Sequence, residues 1–225
     1  IFGVLEIGDV KQIDKKDAQE LNALHIKNLS KTYGDRQLFT HLNLDVQAGQ
    51  KVLIKGPSGC GKSTLFRLIT GEEIADEGEI IGVTTVNECT SSFVSSIGII
   101  SQHPFLFNDT VRYNLTLGQE FSDEELLAVL KQVKLDFELT GGLDFIIKNN
   151  GENISGGQRV RIELARFLLR RKNLLLADEV TATLDKENAF MVHELLFSLP
   201  VMMLEIAHHI DDESRYQQVV DLGKY

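Results

Sequence analysis

The sequence predicts an α/β fold, and three observations predict it. Short apolar runs alternate with segments of helical periodicity along the 225 residues, which is the pattern of a parallel sheet covered by helices. A glycine-rich loop at residues 56–63 stands between one such run and a helix. From about Gln102 to Asn153 the patterns are mainly helical, which indicates a helical insertion into the α/β core.

The first half of the chain predicts strands that lead to and flank the glycine-rich loop. Residues 1–19 begin apolar and become charged, so we interpret them as a linker. Apolar and polar residues then alternate twice, as in half-buried strands. The predicted elements are strands at Leu24–Leu29, Leu42–Val46 and Lys51–Ile54, a helix at Ser63–Thr70 that ends at Gly71, and a strand at Ile97–Ile100.

The second half predicts longer helices and two buried strands. Ser122 and Glu125 form a helix-capping signal. A continuous apolar run such as Asn173–Ala177 is typical of a parallel strand buried on both faces. The other predicted elements are a long helix from Gly157 to about Lys172, a helix at Lys186–Ser198 with Asp185 as its candidate N-cap, and a strand at Val201–Ile206.

The charge of the chain bears on the partners to expect. With 23 Lys and Arg against 33 Asp and Glu, the net charge is −10, so a general basic footprint for nucleic acid is absent and no nucleic-acid partner is expected. We interpret the basic cluster Arg166, Arg170, Arg171 and Lys172 as a solvated helix face. The two cysteines, Cys60 and Cys89, lack metal-ligand spacing. No apolar run approaches the roughly 18 residues that cross a bilayer.

The glycine-rich loop Gly56–Ser63 matches the phosphate-loop pattern G-x-x-x-x-G-K-S, with a strand before it and a helix after it. Its backbone N–H groups and the helix N-terminus favour phosphate oxygens. Lys62 is expected to reach the β- and γ-phosphates of a nucleotide, and the Ser63 hydroxyl to bind Mg²⁺. We interpret Cys60 as a small filler of the loop rather than a nucleophile.

A second motif is the acidic end of an apolar strand, Leu174–Glu179. Because side chains alternate along an extended chain, the two carboxylates are expected to point in different directions and to hold different roles. Asp178 is expected to help hold Mg²⁺, and Glu179 to orient or deprotonate the attacking water.

With these motifs in place, the chain resembles the nucleotide-binding domain of an ATP-binding-cassette (ABC) protein almost end to end. The segment Ile154–Gln158 is similar to the signature loop of that family. The other landmarks, in the family's order, are Tyr33, the phosphate loop, Gln102, Asp178–Glu179, the D-loop at Ala182–Asp185, and His208. The resemblance implies a RecA-like P-loop NTPase core with an antiparallel β-subdomain and an inserted α-helical subdomain.

The resemblance also implies roles for single residues. Tyr33 would stack on adenine, Gln102 would sense metal and water, and His208 would steady the γ-phosphate. The implied catalytic residues are Glu179, His208 and Gln102, and the implied metal ligands are Ser63, Gln102 and Asp178. The implied ATP contacts are Tyr33, Gly56, Pro57, Ser58, Gly59, Cys60, Gly61, Lys62, Ser63, Thr64, Ser155, Gly156, Gly157 and Gln158.

Several stretches resemble exporters within this family, among them Ile1–Glu6, Ser101–Phe107 and Asp178–Thr181. That subtype implies residues 1–23 as a linker from an upstream transmembrane domain and residues 24–225 as the nucleotide-binding domain, with a helical subdomain at about 103–158. It also implies a place on the cytoplasmic face of the cell membrane. One departure is Asn149, where exporters often carry a glutamate shortly before the signature loop.

The resemblance implies ATP and Mg²⁺ as cofactors and two kinds of partner. In this family the signature loop faces the phosphate loop of a second nucleotide-binding domain, so that two ATP molecules lie between the two domains, and Phe105 and Phe107 would contact the transmembrane domains. The second domain could be an identical or a different chain. The alternatives are a soluble ABC ATPase without a transport role, a non-catalytic regulatory cassette, and an importer subunit made as a separate chain.

Overall fold

The structure is a computed structural model, and it describes residues 20–84, 88–89, 92–135, 141–207, 210 and 212–225. The strands are β1 (Leu21–Tyr33), β2 (Arg36–Gln47), β3 (Lys51–Lys55), β4 (Glu77–Thr84), β5 (Glu88–Cys89), β6 (Ile97–Ile100), β7 (Leu174–Asp178), β8 (Met202–Ile206) and β9 (Gln218–Asp221). The α-helices are α1 (Lys62–Ile69), α2 (Val111–Thr116), α3 (Asp123–Gln132), α4 (Gly156–Leu169) and α5 (Lys186–Ser198). Short 3₁₀ turns lie at Ser92–Ser96, Gly142–Asp144, Asn149–Gly151, Glu213–Arg215 and Leu222–Lys224.

A parallel sheet with the strand order β6-β7-β8-β3-β9 forms the centre of the fold. Its strands are apolar because both faces are covered. Leu175 faces a core that contains α4 and α5. Leu174 and Leu176 face the other core, which contains α1 and residues of β1 and β2. The predicted α/β class is confirmed, and the carboxyl ends of the strands deliver the phosphate loop and the acidic residues to one edge of the sheet.

An antiparallel sheet with the order β2-β1-β4-β5 packs beside the core. The two alternating segments predicted as strands belong to β1 and β2, which are longer than predicted. β1 begins at Leu21, where Leu21 pairs with Thr84 and is 1% exposed. The antiparallel sheet therefore begins before residue 24, where the sequence places the start of the domain.

Three strands were not predicted: β4, β9 and the two-residue strand β5. β4 contains Gly78 and Gly82, which disfavour strands in any pattern-based prediction. A Cβ atom at Gly82 would lie 2.5 Å from the ring of Phe93, so the glycine is required by packing. β9 has only four residues, too few for a periodic signal.

The segment between β6 and α4 is less helical than predicted. Among the residues that the structure describes there, α2 and α3 are the α-helices, and the rest consists of two short 3₁₀ turns and irregular backbone. The capping box predicted at Ser122 and Glu125 is present. The segment packs through α2 and α3 against α4, on the face of the sheet opposite α1.

The interpretation of the basic cluster as solvated is wrong for two of its members. Arg166 donates from Nη1 to the carbonyl oxygen of Phe105 at 2.8 Å and from Nη2 to Oδ1 of Asn114 at 2.9 Å. Arg170 donates to the carbonyl oxygens of Leu115 and Thr116. These arginines join α4 to the inserted segment, because carbonyl groups at the end of the short helix α2 need donors.

Within the described residues, no helix combines the length and the apolar character needed to cross a membrane.

Candidate nucleotide site

The phosphate loop follows β3 and ends in α1. Gly56, Gly59 and Gly61 have positive φ angles of 145°, 77° and 103°, a region that glycine adopts without a steric cost. Gly61 is the N-cap residue of α1. A Cβ atom there would lie 3.0 Å from Phe39, and one at Gly56 would lie 2.7 Å from Sγ of Cys60. The glycines are therefore required both by backbone conformation and by space.

Lys62 lies across the start of this loop. Its Nζ donates to the carbonyl oxygens of Gly56 at 2.9 Å and Pro57 at 3.2 Å, and the residue is 7% exposed. The ammonium group is thereby held inside the loop that the sequence predicts as the phosphate site. Cys60 packs as a partly buried side chain against the apolar cluster below, as expected of a filler.

An open cleft of about 390 Å³ brings several predicted residues together. Tyr33 comes from the end of β1, and Glu179 from the turn after β7. The side chains and backbone that line the cleft are those of Tyr33, Arg36, Leu38, Ser58, Gly59, Gly61, Lys62, Ser63, Thr64 and Glu179. Residues that are 146 positions apart in the sequence, Tyr33 and Glu179, thus border one space with the phosphate loop.

The two acids at the end of β7 differ in backbone conformation. Asp178 is the last residue of the strand, whereas Glu179 has a φ of 51° and donates its N–H to the carbonyl oxygen of Ile206 at 2.9 Å. Strand alternation therefore does not apply at Glu179, because its backbone has left the extended conformation of β7. Burial, with the neighbouring charge of Glu179, raises the pKa of Asp178, while Lys62 opposes the shift.

The signature loop begins α4 in a defined geometry. Ser155 is the N-cap, its hydroxyl accepts from the N–H of Gln158 at 3.1 Å, and the Gln158 side chain accepts from the N–H of Ser155 at 2.9 Å. This reciprocal pair is a capping box. Ser155 is exposed, so the helix start faces solvent.

The two glycines of the signature loop are in close contact with the D-loop and α5. A Cβ atom at Gly156 would lie 2.8 Å from Leu184, and one at Gly157 would lie 2.6 Å from Oδ1 of Asn188. Asp185 is the N-cap of α5, as predicted, and also binds the amide of Asn188. The signature loop and the D-loop therefore form one packed unit.

Gln102 lies in a different cleft from the phosphate loop. That cleft is lined by Gln102, His103, Pro104, Gly156, Arg159, Val160, Thr183 and Leu184. The structure thus groups Gln102 with the signature glycine Gly156, and none of the described residues lines both this cleft and the cleft at Lys62.

His208 cannot be placed in this geometry, since it lies outside the described residues. The preceding strand β8 ends at Ile206, whose carbonyl oxygen accepts from Glu179.

Several residues of the site were not predicted from the sequence. Arg36 donates to the carbonyl oxygen of Gly59 at 2.9 Å, and Glu73 accepts from the hydroxyl of Tyr33 at 2.7 Å. Glu163 accepts from the N–H of Ser101, the neighbour of Gln102, at 3.1 Å. These contacts join residues more than 20 positions apart, and no local spacing marks them.

Comparisons with known proteins place this geometry in a family. A family model described as "ABC transporter" matches residues 39–182. The chain is 35% identical over 230 residues to the ATP-dependent lipid A-core flippase of Francisella tularensis subsp. holarctica, and the match covers 98% of this chain and 38% of the flippase. It is 32% identical to an uncharacterized ABC transporter ATP-binding protein of Bacillus subtilis, where the match covers 93% of this chain and 41% of that protein.

A solved structure shows the same fold. It is described as a bacterial Atm1-family ABC exporter with ATP bound, and it superimposes with a TM-score of 0.75 at 30% sequence identity. The match covers 91% of this chain and 38% of the exporter chain. The chain therefore spans about two fifths of the length of the relatives that it matches.

Proposed function

We propose that this chain, which belongs to the ABC transporter family, binds and hydrolyses ATP and thereby drives the export of a substrate across a membrane. The observation that carries the proposal is the cleft in which the phosphate loop, Tyr33 and Glu179 meet. Its lining includes an aromatic residue for a base, a loop for phosphates and the acid Glu179.

The phosphate loop binds the β- and γ-phosphates. The ammonium group of Lys62 already lies inside the loop, where it opposes the phosphate charge. The N–H groups at the start of α1 add the partial positive charge of a helix N-terminus, and Thr64 completes the loop side of the cleft.

Ser63 and Asp178 fit a Mg²⁺ ion. Both offer oxygen, the donor atom that Mg²⁺ prefers. A protein usually contributes only one or two ligands to Mg²⁺, and phosphates and waters provide the others. Burial penalises the bare charge of Asp178, as its raised pKa indicates, and a cation beside it would offset that penalty. When bound, Mg²⁺ would supply positive charge that offsets the negative charge of the phosphates during phosphoryl transfer. Gln102 is assigned to the same ion once its loop approaches the phosphates.

Glu179 acts on the attacking water. Glu179 borders the cleft, and the turn at φ 51° with the hydrogen bond to Ile206 fixes its backbone. A carboxylate that orients and deprotonates water contributes by general base catalysis. His208 is assigned to the γ-phosphate.

A second nucleotide-binding domain completes the site. The exposed start of α4, with Ser155, Gly156, Gly157 and Gln158, is an anion site by its helix terminus, yet it borders a different cleft from Lys62. We therefore assign the signature loop to the γ-phosphate held by the partner chain, with ATP at each of two shared sites.

The transport role concerns the whole protein. The relatives are named as a flippase and an exporter and are more than twice as long as the matched region, so we assign residues 1–20, which precede β1, to a linker from transmembrane domains and the chain itself to the cytoplasmic face of the membrane. The helical subdomain, at about 103–158, contacts those domains. Six apolar helices encoded before Ile1 would support this assignment, whereas a start codon just upstream would favour an importer subunit.

Glu179→Gln tests the catalytic assignment. The variant is expected to bind ATP and to lose hydrolysis by roughly 10²-fold or more, since the general base is absent. With ATP and Mg²⁺ it is expected to double its mass in light scattering, because unhydrolysed ATP keeps two chains together. Glu124→Gln, on the exposed face of α3, is the matched control and should resemble wild type. A Glu179→Gln chain that hydrolyses ATP normally, or stays monomeric with ATP, would contradict the assignment.

A further inference from the structure

The carboxylate of Glu73 connects three side chains near the cleft. Its Oε2 accepts from the hydroxyl of Tyr33 at 2.7 Å and from Nη2 of Arg67 at 3.0 Å. Its Oε1 lies 3.1 Å from Nζ of Lys31. The hydrogen bonds from Tyr33 and Lys31 hold the pKa of Glu73 below its ordinary value. Glu73 therefore remains ionised at neutral pH and accepts from all of these donors.

Lys31 occupies one face of the Tyr33 ring. Its Nζ lies 5.0 Å from the ring centroid, a cation–π distance. The same nitrogen donates to the carbonyl oxygen of Ile74 at 2.7 Å, and the residue is 7% exposed. The Tyr33 ring itself is 43% exposed and borders the cleft, so an incoming base has only the face opposite Lys31.

Glu73 is also attached to the helix of the phosphate loop. Its N–H donates to the carbonyl oxygen of Arg67, in the last turn of α1. The next residues are bound to β1, where Asp76 accepts from the N–H of Thr32 at 2.7 Å. The eight residues of α1 span about 12 Å. The same helix thus carries the phosphate cradle at one end and the support of the Tyr33 ring at the other.

We propose that Glu73 and Lys31 are positioning residues that fix the Tyr33 ring as a preformed stacking platform for the base of the nucleotide. The inference rests on the proposed function, in which Tyr33 stacks on adenine. A ring held by its hydroxyl and by one face loses less rotational freedom when a base binds. Its attachment to α1 sets the ring at a fixed place relative to the phosphate loop. The base and the phosphates of one ATP molecule can therefore bind at the same time.

The affinities of the purified chain for ATP and for inorganic tripolyphosphate are measured and compared. The comparison distinguishes a loss of ring positioning from damage to the phosphate loop. Base–aromatic stacking is worth about 1–3 kcal/mol, which corresponds to roughly 5- to 150-fold in affinity. Glu73→Ala is expected to weaken ATP binding by about three- to tenfold, as part of that range. Tripolyphosphate, which has no base, should bind as it does to wild type.

Two further variants identify the route of the effect. In a Tyr33→Ala background, which already binds ATP weakly, Glu73→Ala should cause little additional loss. Glu73→Gln retains an acceptor for the Tyr33 hydroxyl and should recover part of the ATP affinity. The neighbouring exposed acid provides the control Glu72→Ala, for which both ligands should bind normally.

Three results would overturn the inference. Equal losses for ATP and tripolyphosphate in Glu73→Ala would assign Glu73 to the integrity of α1, and unchanged ATP affinity would remove its role altogether. An undiminished effect in the Tyr33→Ala background would show that Glu73 acts by another route. If wild type binds tripolyphosphate and ATP equally, the stacking role of Tyr33 itself is wrong, whereas binding of neither ligand would refute the proposed function and this inference with it.

Discussion

Glu163 is a partly buried acid on α4, one turn and a half beyond the signature loop. Its Oε2 accepts from the N–H of Ser101 at 3.1 Å, which ties the signature helix to the residue before Gln102. Burial raises the pKa of Glu163 to about 7, although the Ser101 N–H and the nearby Arg166 oppose the shift. The structure thus places a group that titrates near neutral pH between two parts of the proposed catalytic machinery.

The sign of the pH dependence follows from the two states of Glu163. Between pH 4.5 and about 7 the folded chain keeps the proton while the unfolded chain has lost it. The unfolded state then binds fewer protons, so this group lowers the free energy of unfolding as the pH rises through that window, by up to about 3 kcal/mol. Above pH 7 both states are ionised and the effect is constant.

Glu163→Gln removes this titration. Its free energy of unfolding is expected to exceed that of wild type by an amount that grows between pH 5 and pH 8, measured by urea denaturation at both values. Glu124→Gln, an exposed acid on α3, should follow wild type at both. If Glu163→Gln and wild type change equally between the two pH values, Glu163 has an ordinary pKa and the prediction is wrong.

Single residues were predictable from the sequence where the chemistry is local. Lys62 is specified by the spacing of its loop, and the N-cap roles of Ser122 and Asp185 by the residues that follow them. Tyr33 was placed by resemblance, but its support by Glu73 depends on a contact across 40 positions. No periodicity reports such a contact, because it is decided by the way that α1 packs beside β1.

Helices and strands, like single residues, were predictable where the sequence signal is local. The bounds of α5 and of the strand Ile97–Ile100 agree with the prediction, since each is marked by apolar periodicity and a clear start. The inserted segment was predicted as mainly helical, yet its longest helix has ten residues. The structure of this segment depends on side-chain hydrogen bonds to α4. Such contacts leave no periodic pattern in the sequence.

Helix α2 shows how those bonds operate. It has six residues, too few to be stable alone. Asn114 in this helix is fully buried; its Oδ1 accepts from the N–H of Phe107 at 2.8 Å and from Arg166 at 2.9 Å. Its Nδ2 donates to the carbonyl oxygens of Phe107 and Thr110. One amide therefore connects α2, the preceding turn and α4.

Asn114→Ala is expected to destabilise the fold by about 2–3 kcal/mol, because it leaves buried donors and acceptors without partners. The measurement is the free energy of unfolding in urea. Ser122→Ala removes an exposed helix cap in the same segment and should cost only about 1 kcal/mol. The network would have to be discarded as a stabilising element if Asn114→Ala cost no more than Ser122→Ala.

At the scale of the whole molecule, the main consequence of the fold is that the residues of the proposed site border two separate clefts. α1 and the phosphate loop lie on one face of the parallel sheet, and α4 with the inserted segment on the other. Tyr33, Lys62 and Glu179 border one cleft, while Gly156 and Gln102 border another. The sequence gives the order of these motifs along the chain but not which of them lie close together. Their grouping into two clefts is therefore known only from the fold.

Ser155→Arg tests whether the signature loop of a second chain binds the nucleotide in the cleft at Lys62. The exposed N-cap of α4 would then carry a bulky cation, which should block a facing nucleotide-binding domain without touching the phosphate loop of its own chain. In the Glu179→Gln background, Ser155→Arg is expected to bind ATP with unchanged affinity, by equilibrium dialysis, and to remain monomeric in light scattering. Ser122→Arg is the matched control, because it places the same side chain at the N-cap of another capping box and should still dimerise. Loss of ATP binding by the Ser155→Arg monomer would mean that the signature loop serves its own chain, and a persistent ATP-dependent dimer would mean that Ser155 lies outside the interface.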